Sequence, residues 1–183
     1  MTETAKNKEL LDEAYRRGYD YLPRWGACAP SVFAAVMDTL GYQNDSVAEE
    51  IWKATVGLAG GTGNMAIGTC GAMAGATAAI SYSFGYTKEE IQKDLTKMLK
   101  LCGAVAEVGK KMQEKYGHIV CQEVQFHHWG KAYRFTNMKA GMEFMKMWQD
   151  NKEKFECREV TGDLARWAVE KILEYNPRFS RRR

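Results

Sequence analysis

Five cysteines carry the chemistry this chain offers. Cys28, Cys70, Cys102, Cys121 and Cys157 contain no Cys-x-x-Cys pair, so any shared site has to be assembled by the fold. Cys28 precedes Ala29-Pro30, a helix-opening pair, because proline's missing N–H costs nothing in a first turn. Cys70 opens Cys70-Gly71-Ala72-Met73-Ala74-Gly75, with Thr69 as its expected N-cap. A thiol at a helix start meets unpaired backbone N–H groups and the positive end of the helix dipole. Both favour the thiolate, the form that binds metals and attacks disulfides. Cys121-Gln122-Glu123-Val124 and Cys157-Arg158-Glu159-Val160 repeat a Cys-x-Glu-Val pattern, two Cys-led turns that could face a common centre. Cys102 falls mid-helix on an apolar stripe and reads as core filler.

Cys70 lies within an uncharged stretch from Gly57 to Gly85, although 27% of the chain is charged. Up to Gly68 the stretch has too many glycines for regular structure and reads as a loop that approaches something closely; beyond Cys70 it reads as a buried helix of small residues. Gly71 and Gly75, four residues apart, form a bare strip for a neighbouring helix or a cofactor. A membrane span is the weaker reading, since Leu and Ile are few and no aromatic belt flanks both ends. The loop lacks the Lys-Ser/Thr ending of a phosphate-binding loop. His127 and His128 are adjacent and could not easily share a metal; the Met138, Met142, Met145 face reads as core or partner surface. No nucleophile triad or carboxylate pair stands out.

The elements that must position the thiols are helical. Apolar spacing predicts a lead-in helix over 6–22 stopped by Pro23, then helices from Ala29 to Gly41, Asp45/Ser46 to Leu58, Cys70 to Gly85, Thr87 to Gly117, about Asn137 to Trp148, and Cys157 to Tyr175. No segment alternates like a strand. The expectation is an all-α, compact single-domain bundle of about six to seven helices over 1–183, with its core in 26–175 and a basic tail at 178–183. The net charge of +3 and the lack of a basic aromatic-interleaved patch argue against nucleic acid. The charged N-terminal helix and unpaired cysteine spacing lead to the expectation of a cytoplasmic protein without a membrane segment.

The chain resembles the redox-active proteins named for their C-GCAxxG-C-C cysteine pattern. The resemblance rests on Cys28 before an apolar helix, the Gly60-Gly61-Thr62-Gly63-Asn64 loop, the Cys70 to Gly75 core, and Cys121 and Cys157, each followed by x-Glu-Val. Two departures stand out: the chain is long for a member, and the insert Phe126 to Trp148 separates the last two cysteines widely. The resemblance implies a helical protein with four functional cysteines. A related module occurs in a multihaem-type cytochrome, with similar cysteines assigned to an iron–sulfur cluster. The leading expectation is therefore an electron-transfer protein holding an iron–sulfur cluster, two-iron by preference, on Cys28, Cys70, Cys121 and Cys157, beside Gly71 and Gly75 and served by a redox partner protein, with a homodimer also admitted. Two alternatives stay open. One is a thiol–disulfide oxidoreductase in which a low-pKa Cys70 attacks and Cys28 resolves; the other is a structural zinc module on the same four thiolates.

Overall fold

The core is built from four helices that bury their apolar faces against one another. In the computed structural model, which describes residues 3–151 and 154–175, α1 (Glu3–Trp25) lies along α9 (Cys157–Tyr175), and α2 (Cys28–Thr39) packs on α4 (Gly71–Phe84). Contacts of α1 with α2, and of α9 with α2 and α4, close this unit. Phe33, Val36 and Met37 of α2, Ala76 and Ile80 of α4, and Leu164, Ala168 and Ile172 of α9 are its buried centre. Around it stand α3 (Ser46–Thr55), which ends in a 3-10 turn (Val56–Leu58), α5 (Lys88–Lys93), α6 (Leu95–Tyr116), α7 (Cys121–Trp129) and α8 (Met138–Asn151). The class is all-α: there is no strand among the described residues, and an isolated antiparallel bridge joins Thr69 to Val120. No described helix is long and apolar enough to cross a membrane. The expected tail at 178–183 and the stop at Pro177 lie outside the described residues.

The helix count is nine among the described residues, above the six to seven expected, for two local reasons. The segment expected as one helix from Thr87 to Gly117 breaks at Asp94, whose extended backbone (φ −145°) ends α5 while its carboxylate accepts from the Thr96 N–H at 3.0 Å and caps α6. A short acidic side chain gains more as a cap than inside a helix. The aromatic stretch after Cys121 also forms a helix, α7, ended by left-handed Gly130.

Pro23 does not stop α1, which runs on to Trp25. A mid-helix proline strands the carbonyl four residues back. That carbonyl belongs to Tyr19, and the guanidinium of Arg158 on α9 takes the place of the missing donor, Nε donating at 3.1 Å while its carbon sits 4.0 Å from the Tyr19 ring centroid. The residue after Cys157 thus repairs the end of α1.

Candidate functional site: four helix-leading thiols on one cavity

The glycine loop of 57–69 positions two of the thiols by strapping itself to the segment before α7. The Cys70 N–H donates to the Ile119 carbonyl at 2.7 Å, the Cys121 N–H to the Gly68 carbonyl at 2.9 Å, and the Gln122 N–H to the Ala66 carbonyl at 2.8 Å. Gly61 makes this strap possible. Its φ is +72°, and a Cβ there would lie 2.8 Å from Cys121 Cβ and 3.0 Å from the Gly68 carbonyl oxygen, so neither the conformation nor the space admits a side chain.

The α2–α4 contact positions the third thiol. A Cβ on Gly71 would lie 2.4 Å from Cys28 Sγ, so this sulfur rests on bare backbone at the start of α4. A Cβ on Gly75, one turn on, would lie 2.2 Å from the Ala29 carbonyl oxygen. Gly75 is therefore a helix-approach residue: neither it nor Gly71 lines the cavity described next, and the cofactor contact expected of the pair reduces to Gly71 supporting a sulfur. The first turn of α4 also differs slightly from expectation, since Cys70 itself, not Thr69, is the N-cap residue.

Cys28, Cys70, Cys121 and Cys157 all line one cavity of about 280 Å³. Each stands at the N-terminus of a different helix: Cys28 opens α2, Cys70 caps α4, Cys121 opens α7 and Cys157 opens α9. Four helix dipoles thus present their positive ends to one space. No Asp, Glu, Lys or Arg lines it. The remaining wall is apolar and aromatic apart from Asn64 and Gln125. The amide of Gln125 spans the site, Nε2 donating to Cys121 Sγ at 3.3 Å and Oε1 accepting from the Tyr133 N–H at 2.6 Å. Sequence reasoning missed Gln125, although its place four residues after Cys121 on α7 was a usable signal.

Without a cation, burial governs these thiols. It pushes the Cys70 and Cys157 thiols well above the usual 9.0; neighbouring thiolates add to the shift, at Cys70 from Cys28 and Cys121 and at Cys157 from all three others. Cys121 is pushed up to about 11 by burial and by Cys28, while the Gln125 amide opposes the shift. Cys28 also rises through burial, against N–H groups of Gly60, Ala29 and Ala72 that favour its thiolate. Burial and like charge thus work against the low-pKa attacking Cys70 expected from its helix position, while the Ala72 and Met73 N–H groups favour its thiolate. The sign of the linkage follows. These acids bind protons more tightly folded than unfolded, so the metal-free protein should lose stability as pH rises from 9.0 towards about 11. Thermal denaturation in chelator across that window checks it; a flat melting temperature contradicts it.

All five cysteines are free, and no group of three or more His, Cys, Asp or Glu side chains among the described residues is set to hold one metal ion. The four cysteines border one cavity without forming such a group. Cys102 is not core filler: it lies exposed on α6, where the buried face runs through Ala104, Val108 and Met112, two residues out of phase with it. Leu95 and Leu99 on the same turns are 61% and 64% exposed. Cys102→Ala should therefore change stability by no more than about 0.5 kcal/mol, as for other surface sites, and leave metal content unaltered; denaturant unfolding with metal analysis decides this. His127 and His128 lie in the last turn of α7, outside the cavity lining, and burial lowers the His128 pKa. Met138 and Met142 face outwards, 81% and 68% exposed, whereas Met145, 45% exposed, also borders the cavity.

Fold and site together define a helical protein built round a four-thiol cavity. The family model C_GCAxxG_C_C, described as "Putative redox-active protein", matches residues 27–171, and the chain belongs to that family. No curated protein and no solved structure matches it.

Proposed function

We propose that the four thiolates hold an iron–sulfur cluster, two-iron by preference, and that the protein is an electron carrier within its redox-active family. The observation that carries this reading is the convergence of four helix-leading cysteines on one uncharged cavity. The residues fit such a group. Four buried thiols without a protein cation need positive charge to ionise, and helix N-termini with the N–H groups of Gly60 and Ala72 suit a net-negative thiolate centre. A lone zinc binds sulfur at about 2.3 Å and would need all four sulfurs drawn to one point; a centre of several metals bridges more space. When bound, the cluster supplies one-electron oxidation and reduction.

The chain's own groups do the rest. Gly71 lets Cys28 Sγ approach α4, Gln125 orients Cys121, and the apolar wall limits water, which together tune the potential of such a centre. The dithiol alternative is disfavoured because burial raises the Cys70 and Cys28 thiols. Electron paramagnetic resonance of anaerobically purified, dithionite-reduced protein tests the proposal. The expected result is a half-spin signal of a reduced two-iron cluster that titrates as a one-electron couple. A silent, iron-free protein carrying zinc would overturn it in favour of the structural reading.

A further inference from the structure

Helix α8 carries apolar side chains on two sides. Phe144 and Trp148 on its inner side border the thiol cavity. Met138, Met142 and Met145 follow at helical spacing on the other side and line a separate, open groove of about 400 Å³ together with Phe135 and Gly141. Among the described residues no member of α8 is fully buried. A helix that is apolar on two sides is built to lie between two surfaces, and the described residues supply only the inner one. The polar flank indicates the other. Lys139, Glu143, Lys146 and Asp150 follow one another at steps of four, three and four residues, so they share one flank, and their signs alternate. Reversing the helix direction turns this row into its own complement. In an antiparallel pair centred between Phe144 and Met145, Lys139 stands level with Asp150 of the second copy, and Glu143 with Lys146; in a parallel pair each charge would stand level with its like. The partners these groups have within the chain, Asp150 for Lys146 at 2.7 Å and Lys131 for Glu143, are exposed pairs of little strength that can be exchanged.

We infer that this face of α8 is where two copies of the chain meet, antiparallel across a two-fold axis, with the methionines of each copy filling the groove of the other. A two-fold interface brings the same patch together from both copies, so it selects a surface that complements itself, as this row of charges does. Methionine suits the seam because its unbranched side chain repacks to fill an irregular groove. The seam is short: α8 has 14 residues and spans about 21 Å. One helix pair of that length falls well below the interfaces of more than about 2,000 Å² typical of permanent dimers, so the two copies should separate and rejoin with concentration. Phe135 and Met145 border both the groove and the thiol cavity, so pairing here sets the two cavities on either side of one seam. The inference needs no metal and does not rest on the cluster reading.

Sedimentation equilibrium of the purified full-length protein over a range of concentrations tests this, with metal assayed on the same samples so that the cluster reading is judged separately. The expected result is a reversible monomer–dimer equilibrium. Met142→Glu should weaken it about tenfold or more, because the apolar seam then holds charges of one sign from both copies. Leu99→Glu, on the exposed apolar turn of α6 that is the rival face, should leave it unchanged. Lys139→Asp and Asp150→Lys should each dimerise about threefold or more less tightly alone, since like charges then stand level across the seam. An equimolar mixture of those two variants should regain most of the lost affinity, because each then meets its opposite. All four substitutions fall on exposed side chains, so folding is not at stake. A protein that stays monomeric throughout, a dimer that Leu99→Glu breaks and Met142→Glu spares, or no recovery on mixing would overturn the inference.

Discussion

A Gly75→Val protein is expected to lose about 3 kcal/mol or more of stability and to retain little metal, although all of its cysteines remain. A Cβ at this position would lie 2.2 Å from the Ala29 carbonyl oxygen, 3.0 Å from its carbonyl carbon and 3.1 Å from its Cα. These are backbone atoms in the first turn of a buried helix and cannot swing aside as a side-chain end could. Alanine would gain about 1 kcal/mol of helix propensity over glycine, but overpacking costs roughly 1–3 kcal/mol, so even Gly75→Ala should be destabilised. Valine adds two further methyl groups to the same gap. Relief has to come from moving α2 away from α4, which moves Cys28 away from Cys70. Urea unfolding and metal analysis read the two consequences, and a Gly75→Val protein with unchanged stability and metal content would show that the α2–α4 contact does not set the site.

The second large effect is expected at the thiols. Cys70→Ser should lower metal retention by well over tenfold, because altering residues that merely support metal ligands already costs about 10–100-fold. Serine nearly preserves the volume, so far-ultraviolet circular dichroism should stay close to the original. Cys121→Ser should do the same, with the added loss of the sulfur that accepts from Gln125. Cys102→Ser, on the exposed side of α6, is the control. Equal metal content in Cys70→Ser and Cys102→Ser would mean that the cavity thiols are not ligands.

Much of the helical frame could be read from local chemistry. Asp45 caps α3 by accepting from the Ala48 N–H at 2.8 Å, Thr87 and Glu90 make the reciprocal cap of α5, and left-handed Gly85 and Gly117 end α4 and α6. Such signals lie within a few residues of the element they bound. What stayed hidden depends on partners distant in sequence. Nothing near Pro23 announces that Arg158, far along the chain, will supply the donor its helix lacks. The exposure of Cys102 follows from which face of α6 meets α4 and α9, and an apolar stripe does not disclose where its partner helices begin. The break at Asp94 was local, but an acidic side chain mid-pattern is common in exposed helices and gave no warning on its own.

The candidate site was legible in a similar division. The helix-starting positions of Cys28 and Cys70 and the paired Cys-x-Glu-Val turns pointed to four thiols, and all four border one cavity in the fold. Their burial was not legible: a helix N-terminus is visible in sequence, whereas burial among other thiols, which pushes the metal-free Cys70 and Cys157 upwards, is not. The aromatic wall also went unread as a wall: its rings come from α7, a loop, α8 and the residues before α9, and only tertiary packing faces them towards sulfur.

The central claim is that the four-thiol cavity holds an iron–sulfur cluster, and one measurement meets it most directly: iron, acid-labile sulfide and zinc assayed on protein purified without oxygen, with its ultraviolet–visible spectrum. The account predicts about two iron and two sulfide per chain, little zinc, and visible absorption that bleaches on reduction. A colourless protein with about one zinc per chain and no sulfide, or one without metal whose thiols all remain free, would contradict it.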